Sequence, residues 1–141
     1  MNRQLVHCRN GLSDKEVLYF YNLLFRYETK ISKAPKGYNY HRKEVGKFLR
    51  KNAIKLEYRT KKIQVHNEKN TIYFTSHTSI CVDFIRHVRN AFAHGLLSKE
   101  KNIYIIQDLD KGKYTTYGRI GQNLLVELIS VLENTKDKVL P

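Results

Sequence analysis

The sequence predicts a mainly α-helical fold, a small antiparallel bundle of about four main helices with a β-hairpin inserted between the third helix and the last. Two observations favour this fold class. Four segments carry apolar residues at helical spacing, and two β-type runs flank the turn residues Asp110, Lys111 and Gly112. No stretch rich in Pro, Gly or Ser divides the 141 residues, so we expect a single domain over residues 1–141.

The first helix is predicted over residues 14–29. Ser13 and Glu16 have the spacing of a capping box, in which each side chain accepts a hydrogen bond from the backbone of the other. Apolar residues at helical spacing follow, namely Val17, Leu18, Phe20, Tyr21, Leu24 and Phe25. Pro35 and Gly37 then interrupt the periodicity and predict a loop.

A second amphipathic helix is predicted from about Val45 to Leu56. Its apolar residues recur on one helical face, at Val45, Phe48, Leu49, Ala53 and Leu56. The next interval contains two short β-rich pieces, residues 63–65 and 71–74, on either side of a polar turn. A small hairpin and an irregular loop both fit this interval.

The third helix is predicted to begin between Ser76 and Ser79 and to end at Gly95, a residue suited to the left-handed conformation just past a helix end. On a helical wheel its apolar residues fall in one arc, which contains Ile80, Cys81, Phe84, Ile85, Val88, Ala91 and Phe92. The opposite side carries a polar cluster around Ala93, namely Arg86, Arg89, Asn90 and His94. This helix is therefore amphipathic, and its polar cluster need not be buried in the core.

The last helix is predicted from Gln122 to about Asn134, after the two runs of the hairpin. Its apolar residues again follow helical spacing, at Leu124, Leu125, Leu128, Ile129 and Leu132.

The charge of the chain indicates the chemistry of its partner. The chain contains 26 Lys and Arg against 13 Asp and Glu, a formal net charge of +13. Such an excess predicts a polyanionic partner, RNA above all, with an acidic membrane surface or an acidic protein as alternatives. Residues 41–62 have nine Lys or Arg against two Glu, a local net charge of +7. The predicted RNA-backbone contacts there are Arg42, Lys43, Lys47, Arg50 and Lys51, although a solvated face would have the same composition.

We expect a soluble, cytoplasmic protein whose partner is RNA and not a membrane. The N-terminus lacks the apolar core of a signal peptide, and no apolar run approaches the roughly 18 residues of a membrane span. Cys8 and Cys81 cannot build a disulfide framework, and Cys81 is predicted to be a small core residue of the third helix.

The polar cluster of the third helix has the chemistry needed to cleave RNA. Arg presents a fixed fork of donors to phosphate oxygens, and His titrates near neutral pH. In cleavage by transesterification, a base takes the ribose 2′-hydroxyl proton, a cation stabilises the charge at phosphorus and an acid protonates the leaving oxygen. This chemistry requires no metal or cofactor. Because one helix supplies one suitable His, we expect a composite site across a homodimer.

The stretch Arg89-Asn90-Ala91-Phe92-Ala93-His94 resembles the motif of the HEPN superfamily (higher eukaryotes and prokaryotes nucleotide-binding). That motif is an Arg followed after four to six residues by His, often with a polar residue beside the Arg. It lies near the end of a helix in a small helical bundle. Many members are metal-independent endoribonucleases whose site is assembled across a dimer. Leu96 stands where one toxin branch of the family has Tyr.

The resemblance implies roles for the polar cluster. Arg89 would stabilise the phosphate and the transition state, His94 would act as general acid or base, and Asn90 would orient one of the two. Beside the motif, we expect Arg86 to extend the phosphate contacts. The resemblance also implies a toxin, an antiphage-defence effector or an RNA-processing protein, with an antitoxin or another defence-system protein as a candidate partner.

Other interpretations of these residues stay open. The polar cluster could solvate a helix end, with His94 interacting with the last carbonyls and the helix dipole. The chain could also be a non-catalytic RNA-binding or dimerisation module with a HEPN-like fold, or a domain that recognises an acidic protein.

Asp83 and His87 raise the alternative of a metal site, since they lie one turn apart near the wheel angle of His94. His94, however, is seven residues beyond His87, about 10 Å along the helix axis, which is too far to share an ion. We therefore predict no metal. Asp83 and His87 are predicted to be supporting residues on the helix surface, where Asp83 orients His87 or pairs with Arg86.

Overall fold

The structure is a computed structural model that describes residues 10–58 and 62–136. Within these residues the chain has a mixed α/β fold, with four α helices on one face of a five-stranded mixed sheet. The prediction of a mainly α-helical bundle with a single hairpin is therefore wrong. Cys8 lies outside the described residues. None of the helices in the described part of the chain is long and apolar enough to cross a membrane.

The helices are α1 (Asp14–Thr29), α2 (Lys43–Lys51), α3 (Ile80–Ala93) and α4 (Gln122–Glu133). Two 3-10 turns, Ile31–Lys33 and Pro35–Gly37, connect α1 to α2. The strands are β1 (Lys55–Glu57), β2 (Thr71–Phe74), β3 (Ser98–Glu100), β4 (Ile103–Asp110) and β5 (Lys113–Gly121). Their order in the sheet is β1-β2-β5-β4-β3, with β1 and β2 parallel and the other pairs antiparallel.

Local sequence signals place α1 and the β4–β5 hairpin correctly. The Ser13 hydroxyl accepts from the backbone N–H of Glu16, and the Ser13 N–H donates to the Glu16 carboxylate, which completes the predicted capping box. Lys111 and Gly112 have φ values of 52° and 80°. A two-residue type I′ turn requires positive φ at both positions, so the predicted hairpin is confirmed.

The end of α2 differs from the prediction. The helix stops at Lys51, and Ala53 adopts a left-handed φ of 52°. Leu56 then enters β1, where it pairs in parallel with Ile72 of β2. Of the two β-rich pieces that follow, only residues 71–74 form a strand, so the hairpin alternative is wrong. Leu56 thus reaches the core from a strand, although its spacing also fits a helix.

The main core lies between the sheet and the four helices. Alternate strand residues point to opposite faces of a sheet, and the helix-facing set is buried with the helices: Ile72, Phe74, Tyr104, Ile106 and Ile120. On the opposite face, Ile105 and Tyr117 pack with Ile63 in a second, smaller cluster. The helices therefore cover one face of the sheet, and the segment around Ile63 contributes to covering the other.

The third helix occupies the centre of the helical layer. Its N-cap is Ser79, whose hydroxyl accepts from the N–H of Val82 at 3.3 Å, and its C-cap is His94. Cys81 is fully buried, as predicted. The helix packs against α1 on one side and β4 on the other. Its polar cluster therefore lies among side chains from both elements.

Candidate functional site

The C-terminal end of α3 is held by a Schellman motif. The N–H of Leu96 donates to the carbonyl of Ala91 at 2.7 Å, and the N–H of Gly95 donates to that of Phe92 at 3.1 Å. Gly95 has the left-handed φ of 72° that this motif requires. His94 is thereby fixed as the last residue before the chain turns away from the helix.

The side chain of His94 pairs with an acid from the sheet. Its Nδ1 lies 2.7 Å from Oδ1 of Asp108. The His94 side chain is 53% exposed, whereas that of Asp108 is only 6% exposed. Because an ionised carboxylate accepts hydrogen bonds and cannot donate them, this contact favours a proton on Nδ1. Within residues 10–58 and 62–136, Nε2 of His94 has no hydrogen-bond partner.

Asp108 lies at a β-bulge. It pairs with Thr116 across the hairpin, and the next pair joins Leu109 to Tyr114, so that Thr115 is an extra residue in β5. The Thr115 hydroxyl donates to the carbonyl of Asp108 at 3.4 Å. A bulge bends its strand and changes the direction of side chains nearby. The hairpin thus supplies a rigid, bent support for the carboxylate.

Asp108 is not among the site residues predicted from the sequence. One signal was available: Asp108 continues the alternation of Tyr104 and Ile106, which face the helices. A carboxylate at a core-facing position of a strand requires a partner. The sequence alone does not indicate that this partner is His94.

Arg89 connects α3 to α1. Its guanidinium forms an ion pair with the Glu28 carboxylate, and its Nη1 donates to Oδ1 of Asn90 at 2.8 Å. The guanidinium carbon lies 5.8 Å from the centroid of the Tyr27 ring. Its Nε is buried and has no hydrogen-bond partner within the described part of the chain. Asn90 therefore holds Arg89, and Glu28 occupies Nη2, a donor that a phosphate would use.

Asp83 and Arg86 lie nearer the start of α3. Oδ2 of Asp83 accepts from the Ser76 hydroxyl and from the N–H groups of His77 and Thr78, at 2.8–3.0 Å. Its Oδ1 lies 3.5 Å from Arg86, one of its two predicted partners. Burial opposes ionisation, but these hydrogen bonds and the Arg86 charge lower the pKa of Asp83. Asp83 thus anchors the loop before α3.

His87 is buried, with 1% of its surface exposed. Its Nε2–H donates to the carbonyl of Thr75 at 2.8 Å, and its ring contacts that of Phe74. Burial lowers the pKa of His87 to about 4, so the ring is neutral at physiological pH. The prediction that His87 and Asp83 lie on the helix surface is wrong, because the chain around β2 packs against this side of α3. No group of three potential metal ligands occurs among the described His, Cys, Asp and Glu.

The basic residues predicted to contact RNA form a surface on α2, which we call the basic face. Its exposed members are Lys43, Lys47, Arg50 and Lys51. Arg42, the N-cap residue, pairs with Glu44 at 2.9 Å. A cavity of about 310 Å³ lies beside them and is lined in part by Tyr40 and His41. The helix α2 packs on α4, whereas α3 packs mainly on α1 and β4. The basic face and the polar cluster, both predicted to contact RNA, therefore lie on different helices.

No protein-family model, curated protein or solved structure matches the chain. The HEPN resemblance therefore rests on residues 89–94 alone. The five-stranded sheet also departs from the helical bundle that the resemblance implied.

Proposed function

We propose that this protein is a metal-independent endoribonuclease that acts as a homodimer, with Arg89 and His94 at its site. The observation that supports this most is the state of His94. Its side chain is half exposed, its Nδ1 lies in hydrogen-bond contact with Asp108, and its Nε2 has no partner among the described residues. An imidazole in this state can accept a proton from a substrate hydroxyl.

The proposed reaction uses two imidazoles, those of His94 in the two copies of the chain. Nε2 of a neutral His94 takes the 2′-hydroxyl proton as O2′ bonds to phosphorus. The bond between phosphorus and O5′ breaks, and a protonated His94 of the second copy gives its proton to O5′. Arg89 donates to the phosphate oxygens, on which negative charge accumulates. The products are a 2′,3′-cyclic phosphate and a 5′-hydroxyl.

An exposed apolar stripe on α1 supports association with a second copy of the chain. Leu18, Tyr21 and Phe25 are 62%, 60% and 68% exposed and have the spacing of a helix–helix seam. Residues 14–29 contain two basic and three acidic residues, so a second copy carrying +13 meets little repulsion there. The next position of the stripe is Glu28, which pairs with Arg89. A dimer through this stripe with the two copies of α1 parallel would therefore bring two motif helices together.

The basic face would guide the RNA backbone, and Arg86 would add a phosphate contact near Arg89. Binding through such charges falls steeply as salt rises. An RNA-cleaving activity fits a cytoplasmic toxin or an antiphage-defence effector, and an antitoxin or another defence-system protein would be its regulator.

The test is RNA cleavage in the presence of EDTA. We expect cyclic-phosphate ends from the parent, and a loss of about 10²–10⁴-fold in His94→Ala and in Arg89→Ala. Two matched variants should retain the parent rate. His77→Ala removes an exposed imidazole, and Arg26→Ala removes another interhelical Arg–Glu pair, the 2.9 Å contact with Glu133.

A folded, dimeric His94→Ala protein that cuts RNA at the parent rate would overturn the proposal. One observation favours a non-catalytic RNA-binding module as the second candidate, namely that Glu28 already occupies a donor of Arg89. That alternative predicts salt-sensitive RNA binding by the parent and no cleavage product from any RNA.

A further inference from the structure

We propose that Asp108 is the positioning residue of His94, which holds the imidazole as the Nδ1–H tautomer and thereby makes Nε2 the nitrogen that exchanges protons with RNA. The identity of the substrate rests on the proposed function. The tautomer does not, because it is a property of the free protein.

The geometry favours a fixed carboxylate that orients an accessible ring. The distance of 2.7 Å from Nδ1 to Oδ1 is in the range of charge-assisted hydrogen bonds. Asp108 is buried on β4, where it pairs with Thr116 of β5. His94 is held at a Schellman motif. Both backbones are therefore ordered before RNA binds, and this one bond defines the direction of Nε2.

The same carboxylate serves both protonation states of His94. In the neutral ring the single proton lies on Nδ1, so the lone pair of Nε2 is available to the 2′-hydroxyl. After that proton has moved, both ring nitrogens are protonated and the Asp108 charge stabilises the imidazolium. The protonated His94 of the second copy gives its Nε2 proton to O5′ and returns to the neutral Nδ1–H form. The proton of the 2′-hydroxyl thus moves to Nε2 of His94 and not to Asp108.

His87 is the other titratable group of α3 near Asp108. Its Nε2–H is directed to the carbonyl of Thr75, not to this carboxylate. It is neutral because burial lowers its pKa to about 4. Of the two histidines, His94 is therefore the one that pairs with Asp108, and it forms an ion pair with this carboxylate when its imidazole is protonated.

The experiment compares the parent with Asp108→Asn. In ¹⁵N imidazole NMR spectra recorded at a pH high enough that the His94 signals no longer change with pH, we expect the Nδ1–H tautomer of His94 in the parent. In Asp108→Asn the amide can donate to Nδ1, so we expect a shift towards the Nε2–H tautomer. The matched control is Asp110→Asn, which changes an exposed acid on the same strand and should preserve the parent spectrum.

Cleavage is measured on the same proteins. We expect Asp108→Asn to lower the rate about 10²–10⁴-fold, since the equivalent change in a Ser-His-Asp triad costs about 10⁴ through the wrong tautomer. Asp108→Glu keeps a carboxylate and should restore part of the rate, and Asp110→Asn should cut at the parent rate. A buried Asp that merely stabilises the fold would not produce a change of tautomer.

The outcomes separate this inference from the proposed function. If the parent cleaves RNA, and Asp108→Asn leaves both the rate and the His94 tautomer unchanged, the positioning role is wrong and the ribonuclease assignment stands. If the parent cleaves no RNA but its tautomer shifts in Asp108→Asn, the ribonuclease assignment fails and the positioning role stands. If Asp108→Asn does not fold, the tautomer of the parent decides, and an Nε2–H form there overturns the inference.

Discussion

His87 and His94 lie on the same helix, two turns apart, and both are close to Asp108. Their surroundings are nevertheless opposite. His87 is 1% exposed and donates to the backbone of the chain beside β2, whereas the side chain of His94 is 53% exposed and bonded to a carboxylate. His87 and His94 therefore differ in their ability to exchange protons, because His87 is in the core and His94 is at the end of the helix.

The physical cause of the difference is desolvation. Burial disfavours the charged imidazolium and lowers the pKa of His87 to about 4, so this ring cannot exchange protons near neutral pH. At the helix end, Gly95 turns the chain away and leaves the ring of His94 partly in solvent. We therefore assign a structural role to His87 and propose a catalytic role for His94.

Alanine variants of the two histidines should affect different properties, the cleavage rate for His94→Ala and the stability of the fold for His87→Ala. His94→Ala should lower cleavage about 10³-fold, equivalent to about 4 kcal/mol of transition-state stabilisation, and lower the free energy of unfolding by about 1 kcal/mol. His87→Ala should lower the free energy of unfolding by about 3 kcal/mol, because it leaves a cavity and an unpaired Thr75 carbonyl. Urea unfolding and cleavage rates of both proteins provide the measurement. A fully folded His87→Ala protein without activity would contradict the comparison.

Acid should destabilise the fold through His87. In the unfolded chain its imidazole has the ordinary pKa of 6.5, whereas in the folded protein the value is about 4. The unfolded state therefore binds a proton first, and stability that is complete above pH 6.5 is lost as the pH falls towards 4. The expected loss is about 3 kcal/mol.

This dependence can be measured by urea unfolding at pH 7, 5.5 and 4.5. His87→Gln should flatten the profile over this range, since Gln does not titrate. The control His77→Gln changes an exposed ring and should keep the parent slope. An unchanged slope in His87→Gln would show that other groups cause the acid sensitivity.

The smallest expected effect is a change in RNA affinity through Arg89, which lies near the same end of α3 as His94. Glu28→Gln removes the carboxylate that competes with phosphate for Arg89. Partly exposed ion pairs contribute about 0.2–1 kcal/mol, so RNA affinity should rise about 1.4- to fivefold. Glu133→Gln makes the same change of charge but frees Arg26, and it should bind RNA like the parent.

Fluorescence anisotropy with a labelled RNA at two salt concentrations measures both variants. Equal affinities for Glu28→Gln and Glu133→Gln would show that Glu28 does not restrain Arg89.

The parts of the fold that are predicted correctly depend on signals within a few residues. The capping box of Ser13 and Glu16 marks the start of α1, and Gly95 marks the end of α3. Lys111 and Gly112 mark the hairpin turn. Each signal acts through hydrogen bonds or backbone conformations of neighbouring residues, so it appears in the sequence itself.

The sheet was missed because its shorter strands depend on distant partners. β1 has three residues and pairs with β2, which has four. Neither is long enough to show a clear alternation. Leu56 also continues the apolar spacing of α2, and only its pairing with Ile72 assigns it to a strand.

The candidate site also combines features that neighbouring residues determine with contacts between residues far apart in the sequence. The helical face that carries Arg89, Asn90 and His94, and its position at a helix end, follow from the order of the residues. The pairing of Arg89 with Glu28 and of His94 with Asp108 joins residues 61 and 14 positions apart, and the burial of His87 depends on the chain around β2. Helical periodicity shows which residues share a face but not what packs against that face, so these contacts arise only when the chain folds.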